Sequence, residues 1–337
     1  MKHLYLLLWS LPLLTWAQIP QNYYLNADGK TGDELKAALY NIIKGHTTYP
    51  YTSSSTDTWD ILKESDRDPD NAENVILLYS ALSVNAAQEY NSAKGWTREH
   101  VWAKSRGDFG TSQGAGTDCH HLRPENDNIN STRSNLYFDE GGSVVKYNNV
   151  ATGCYKNSAR YTFEPRDAVK GDVARMILYM AVRYEGKNGE PDLELTESIF
   201  GDGDKQPFMG VKSTLLKCHA QDAVDDFERN RNEVVYKYQK NRNPFIDHPE
   251  FATAIGGIPA GLTNKQAASY GVSLTAGMLN ITTNTPIFRV EIRTITGQLL
   301  WNATYHGETE LSIDAINIPN GIALVVINGE KAVKIIK

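Results

Sequence analysis

Long apolar runs are almost missing from this chain of 337 residues. The one example, Leu4 to Leu14, lies at the extreme N-terminus and covers 11 residues, short of the roughly 20 that a membrane-spanning helix needs. A polytopic membrane protein is therefore excluded, and no stable span is expected. Cysteine is scarce: Cys119, Cys154 and Cys218 are the only three, and none has the paired C-x-x-C spacing of a cysteine-based zinc site. There is no H-E-x-x-H signature, internal repeat or low-complexity tract. Positive charge is not in excess, with 34 Lys and Arg against 40 Asp and Glu and a net charge of −6. That balance rules out a strongly basic nucleic-acid coat but leaves room for a local phosphate site.

What is present is ample for buried cores. The chain is 41% hydrophobic and 22% charged, which excludes whole-chain disorder, and its length suits two domains. Lys2 and His3 precede the apolar run, and Thr15-Trp16-Ala17-Gln18 follows it. A basic start, a short apolar stretch and a small residue at the cut describe a secretory signal peptide over residues 1–17, cleaved after Ala17. Export makes disulfides chemically possible.

Residues 31–43 read as a helix with Leu35, Leu39, Ile42 and Ile43 on one face. Val75 to Tyr79 reads as a buried strand. Helical spacing returns from Glu164 to Tyr184 and from Thr214 to Tyr238, the latter stopped by the proline of Asn241-Arg242-Asn243-Pro244. An α+β domain over residues 18–253 is the expectation. Residues 254–272 are rich in Gly and Ala and read as a linker. Alternating β-branched runs then fill residues 273–337, the pattern of a small β-sandwich.

The chemistry concentrates between Trp96 and Glu140. Arg98-Glu99-His100-Val101 reads as a strand end, and a Gly-rich loop follows from Ser105 to Thr117. Cys119 to Arg123 returns as a second strand ended by Pro124, and Asp127 caps a short helix carrying Asn130, Arg133 and Asn135. Strand, loop, strand and helix together gather Glu, His and Asn. Such a set suits phosphodiester hydrolysis. A neutral His can take a proton from water. A carboxylate and an amide oxygen are hard ligands suited to Mg²⁺, and Arg supplies fixed donors for phosphate oxygens.

Three motifs in order, Arg98-Glu99-His100-Val101-Trp102, Asp118-Cys119-His120-His121-Leu122-Arg123-Pro124 and Ile129-Asn130-Ser131-Thr132-Arg133-Ser134-Asn135, resemble the secreted bacterial endonuclease I family, whose active site is a ββα-metal (His-Me) finger. Phe163-Glu164-Pro165, Lys170-Gly171-Asp172-Val173-Ala174-Arg175 and the stretch from Asn241 to Glu250 continue the likeness, which covers most of residues 30–251. The resemblance implies an α+β fold with a ββα-metal core and long helices. It implies His100 as general base and Glu99 and Asn130 as ligands of one Mg²⁺, with Mn²⁺ or Ca²⁺ as substitutes. It also implies cleavage of DNA, and of RNA, without sequence preference and with 5′-phosphate ends. Arg98 and Arg133 stand where either could grip a phosphate or bridge to a carboxylate. His121 stands where it could orient the reacting water or support the hairpin; His120 and Asp118 read as structural. Cys119 and Cys218 occupy positions where the family suggests apolar residues, and that joint departure suggests that the two pair.

The C-terminal segment resembles a type IX secretion sorting domain. The matching pieces are Val290-Glu291-Ile292, Thr296-Gly297-Gln298, Leu311-Ser312-Ile313, Ile318-Pro319-Asn320-Gly321-Ile322 and the ending Lys331 to Lys337. The expectation is a monomeric, secreted or cell-surface nuclease that passes through the periplasm, with DNA or RNA and the type IX machinery as partners. Two alternatives stand beside it: a surface-adhesion protein with an inactive nuclease-like domain, and a metal-dependent hydrolase of another class, such as a zinc peptidase using His120 and His121.

Overall fold

Asp33 and Glu34 in its first turn, and apolar residues at helical spacing, make residues Gly32–Ile43 the first helix, α1, of the computed structural model. The structure describes residues 19–201, 203–256, 270–275, 277–294, 298–315, 318, 321–327 and 331–337. The N-terminal apolar run and the expected cut after Ala17 lie outside these residues. The chain divides into two units, residues 1–257 and 258–337.

In the first unit α1 is followed by α2 (Thr58–Ser65), β1 (Asn74–Ile76), β2 (Ser83–Asn85), β3 (Thr97–His100), β4 (Leu122–Glu125) and α3 (Asp127–Arg133). Next come β5 (Tyr137–Phe138), β6 (Ser143–Tyr147), β7 (Val150–Asn157), β8 (Thr162–Glu164) and α4 (Lys170–Arg183). β9 (Glu194–Leu195), β10 (Phe208–Met209), α5 (Lys212–Gln221), α6 (Asp226–Gln239), α7 (Pro244–Asp247) and α8 (Glu250–Gly256) complete it. The unit is α+β, with short sheets: β1–β2 and β3–β4 are antiparallel pairs, and β5-β8-β7-β6 is a four-stranded sheet.

Residues 171–183 of α4 are all buried, which makes this helix the axis of the unit. Its polar side chains accordingly have partners: Arg175 binds Glu228 of α6 at 2.7 Å, Asp172 faces Arg123 of β4 at 3.2 Å, and the Tyr179 hydroxyl donates to Asp118 at 2.8 Å. These bonds tie the central helices to the β3–β4 hairpin.

Several element boundaries differ from expectation. The strand read from Val75 ends at Ile76, although Leu77 to Tyr79 stay buried. Glu164 belongs to β8, and the following helix begins only at Lys170. The helix expected over 214–238 is two helices. Asp222 accepts a hydrogen bond from the Gly171 amide at 2.8 Å, and Asp225 caps α6 by accepting from the Glu228 amide at 2.8 Å, so carboxylates satisfy the backbone where the helix breaks. Ala254, Ile255 and Gly256, read as linker, continue α8, and Tyr270 to Val272 already belong to the next strand.

In the second unit β11 (Tyr270–Thr275), β12 (Met278–Thr294), β13 (Leu299–Asp314), β14 (Ile322–Ile327) and β15 (Lys331–Ile336) form one five-stranded sheet. β11 and β14 share one edge of β12 at its two ends, and β13 runs along the other edge with register shifts after Thr282, Ile287 and Ile292. Bulges of this kind bend a sheet. Leu279, Ile281 and Ile313 from one end share a single core with Ile292, Val325 and Ile335 from the other. Where a two-sheet sandwich was expected, the described strands form one continuous sheet around a single core.

Candidate active site

β3 and β4 pair antiparallel with Glu99 opposite Arg123 and His100 opposite Leu122. The second strand starts later than expected, because residues 118–121 form a turn in which the His121 amide donates to the Asp118 carbonyl at 3.2 Å. Pro124 lies inside β4, opposite Arg98, and its carbonyl accepts from the Leu78 amide at 3.0 Å. Asn126, not Asp127, caps α3, accepting from the Asn128 amide at 2.9 Å. The strand–loop–strand–helix order brings Glu99, His100 and Asn130 to one cavity of about 390 Å³, whose lining also includes Tyr51, Lys104 and Ser131.

His100 is buried, and its Nε2 lies 3.0 Å from the carbonyl oxygen of Gly116. That contact makes Nε2 the protonated nitrogen and leaves Nδ1 as the basic one. Gly116 is required there: a Cβ would sit 2.7 Å from the Gly110 carbonyl oxygen and 2.9 Å from Thr111 backbone atoms. Burial, and then the neighbouring His121, hold the His100 pKa well below its usual value, so the ring is neutral at pH 7. A column of flat groups backs it. The Tyr51 ring stacks with His100 at 5.7 Å between centroids, and the Arg98 guanidinium lies 3.4 Å from the Tyr51 centroid and 3.9 Å from that of Trp59.

Glu99 is 1% exposed. Its Oε1 accepts from the Tyr79 hydroxyl at 2.9 Å and faces Arg133 Nη1 at 3.4 Å; Oε2 takes no partner among the described residues. Burial pushes its pKa up to about 7, although Arg133 and the Tyr79 bond pull the other way. A buried carboxylate half-protonated near neutrality, with one oxygen uncommitted and the Asn130 amide on the same cavity, is a hard-oxygen pair whose charge a divalent cation would balance. Among the described residues no three His, Cys, Asp or Glu side chains cluster as a ready-made metal cage. The donors therefore fit an ion that keeps several waters.

The two arginines are committed to the protein. Arg98 donates to the Tyr51 carbonyl, to Thr58 Oγ1 at 3.0 Å and to Thr52 Oγ1 at 3.1 Å. Arg133, fully buried, donates to the carbonyls of His100 at 3.1 Å and Val101 at 2.5 Å. Both brace the hairpin, and both also line the cavity. The exposed cation on the cavity is Lys104. It lies four residues after His100, in the loop that follows β3, a signal that the sequence offered. Tyr51 and Tyr79 come from segments whose spacing carried no such signal.

His120 and His121 are adjacent in sequence but bind different carbonyls, Asn241 at 3.1 Å and Ala115 at 2.8 Å, each through Nε2. Burial lowers both to about 4. They do not converge on one metal, which removes the geometry a zinc peptidase would need. His121 nevertheless sits 5.5 Å from the His100 ring, centroid to centroid. Asp118 accepts bonds from Tyr179, Tyr184, Gln239 and the His120 amide and anchors the turn. All three cysteines are free and buried, so the suggested Cys119–Cys218 pair is not formed. Cys119 packs with Ile61 and Val235, whereas Cys218 lies beside Phe138 and Leu215.

A polar cavity with a neutral, carbonyl-tethered histidine beside a buried carboxylate and an amide defines a class of hydrolytic site. The family model for Endonuclease I matches residues 31–250. Two relatives are named extracellular ribonuclease. That of Bacillus subtilis (strain 168) is 54% identical over 234 residues, 69% of this chain and 77% of its own. That of Bacillus amyloliquefaciens is 51% identical over 247 residues, 73% of this chain and 82% of its own. The chain belongs to the endonuclease I family.

Proposed function

We propose that this protein is a secreted endonuclease that hydrolyses RNA and DNA without sequence preference, leaving 5′-phosphate ends. The observation that carries the reading is the meeting of Glu99, His100 and Asn130 on one cavity of the β3–β4–α3 unit, a ββα-metal finger in this account. The names of the Bacillus relatives favour RNA among the substrates and an extracellular location.

His100 Nδ1 takes the proton of the attacking water, while the Gly116 carbonyl keeps the ring in the required tautomer. Glu99 and Asn130 would hold Mg²⁺, with Mn²⁺ or Ca²⁺ as substitutes. Such an ion supplies Lewis-acid stabilisation of the phosphate and the leaving 3′-oxygen. Lys104 takes a phosphate oxygen. Arg98 and Arg133 act through the hairpin, Arg98 on the Tyr51 face that backs His100 and Arg133 on the carbonyls of His100 and Val101. Residues 1–17 direct export. Residues 273–337 serve type IX sorting, and the enzyme works as a monomer. An inactive adhesion module is the weaker reading, since Glu99, His100 and Asn130 are all in place.

Nicking of supercoiled plasmid and digestion of ribosomal RNA by the full mature chain, with Mg²⁺ or with EDTA, test this. Metal-dependent cutting that falls by about 10²–10⁴-fold in His100→Ala is expected. A folded wild type that is silent with Mg²⁺, Mn²⁺ and Ca²⁺ would falsify the nuclease reading. A mutant as active as wild type would remove His100 from the mechanism.

A further inference from the structure

A second cavity, of about 540 Å³, opens between α3 and the β6–β7 hairpin. Its lining runs from Gly142 into β6 as far as Lys146 and from Lys156 at the end of β7 to Ala159, with Thr132 contributed by α3. Ser131, the neighbour of Thr132, lines the active-site cavity. One short helix therefore separates the two, and an α-helix with its side chains is about 10 Å across.

The charges in this groove are of one sign. Lys146 is exposed and Lys156 half-buried, neither has a carboxylate partner among the described residues, and no acidic side chain lines the cavity. Of the other lysines in this unit, Lys36, Lys63, Lys170, Lys205, Lys217 and Lys237 sit in ion pairs, whereas Lys30, Lys44, Lys94, Lys187, Lys212 and Lys240 do not among the described residues, so it is position beside the active site that distinguishes the groove's pair. The chain as a whole carries −6. Lys104 at the active site, Lys146 and Lys156 are thus uncommitted cations bordering adjacent cavities. Lys156 stands opposite Ser143 in the ladder, and Tyr155 stands opposite Val144; both Tyr155 and Val144 are exposed, at 38% and 41%. Tyr155 itself is outside the lining, so the groove offers cations and polar groups and no ring: two unpaired lysines on a cavity without carboxylates, next to the active site, suit the phosphates of a strand.

We infer that this groove is a second nucleic-acid subsite, which receives the strand continuing from the scissile phosphate across α3. The inference rests on the nuclease reading. At a rise of about 3.4 Å per nucleotide, a strand covers the width of the helix in about three nucleotides. The groove then acts on polymers and not on the shortest substrates. It raises affinity for long strands without touching the chemistry.

The test compares full-length wild type with the double variant Lys146→Gln/Lys156→Gln and a control, Lys30→Gln/Lys240→Gln, of the same net charge. Binding of a fluorescein-labelled oligodeoxythymidylate is followed by anisotropy in EDTA across a salt series, and cleavage of the oligomer and of a dinucleotide is followed with Mg²⁺. Loss of two phosphate contacts reduces the salt slope by about 1.4 and weakens binding about tenfold at moderate salt. KM for the oligomer rises while kcat, and dinucleotide cleavage, stay at the wild-type value. Equal affinity and slope in the double variant and wild type overturn the inference, as does an equal loss in the control, which reports net charge alone. A wild type that does not bind the strand overturns it too. If the wild type binds but cuts nothing, and the double variant still binds more weakly, the nuclease reading falls while the groove stands.

Discussion

Glu99 is held through one oxygen, and Tyr79 is the group that donates to it. The Tyr79 hydroxyl donates to Glu99 Oε1, while the Tyr79 amide donates to Glu125 Oε2 at 2.5 Å, so the ring is fixed at both ends. Removing only the hydroxyl leaves the packing against Phe163 intact and releases the carboxylate. Partners that orient a metal ligand are worth about 10–100-fold in metal affinity. Tyr79→Phe should therefore raise the Mg²⁺ concentration for half-maximal activity by that factor, with an unchanged melting temperature in EDTA. Calorimetric titration with Mn²⁺ gives the second reading; unaltered affinity there would show that Arg133 alone orients Glu99. None of this was visible in the chain order, because Tyr79 reaches Glu99 from an ordinary apolar run 20 residues earlier.

At the scale of elements, the hairpin and its loop carry the catalytic geometry. Gly116 has no room for a Cβ, and its carbonyl tethers His100. Gly116→Ala must push the loop away from Gly110 and Thr111, at a cost of about 1–3 kcal/mol. Displacement of the base by even about 1 Å costs on the order of 10²-fold in rate. Activity should thus fall by at least about tenfold while the protein remains folded, measured as kcat beside circular dichroism; full activity would mean that the loop tolerates the shift. The order of loop, two finger strands and α3 was legible in the sequence, although β4 runs through Pro124 to Glu125 and the helix is capped one residue earlier than expected. Several boundaries were not, and two show why. The break between α5 and α6 depends on Asp222 meeting Gly171, 51 residues away, and the true cap Asn126 stands beside an equally plausible Asp127. For the arginines the sequence left open a phosphate or a carboxylate as partner, and only packing shows Arg133 facing Glu99 at 3.4 Å and Arg98 bonded to Tyr51, Thr52 and Thr58.

The whole molecule buries charge and histidine to an unusual degree. Arg106, Arg123, Arg133, Arg175, Arg231 and Arg242 are almost entirely inaccessible, and His120 and His121 are held neutral beneath the hairpin. Burial lowers both histidines from 6.5 to about 4. Above pH 6.5 neither the folded nor the unfolded chain protonates them, and stability is unaffected. As pH falls from 6.5 towards 4, the unfolded chain takes up protons that the folded chain refuses, and each histidine removes up to about 1.4 kcal/mol of stability per pH unit. The melting temperature measured by calorimetry should therefore decline steadily over that interval. Replacement of His120 by Asn, which keeps a hydrogen-bonding group but does not titrate, should flatten the decline even if it lowers the melting temperature at pH 7. A variant that falls as steeply as wild type would assign the acid sensitivity to other groups. The carboxylates pull in the opposite sense here: burial raises Glu99 to about 7 and raises Glu125 and Asp172 too. Over the interval between their folded and unfolded values the folded chain takes up these protons more readily than the unfolded one and is stabilised by acidification, so the slope from pH 6.5 to 4 reports the histidines net of a carboxylate offset.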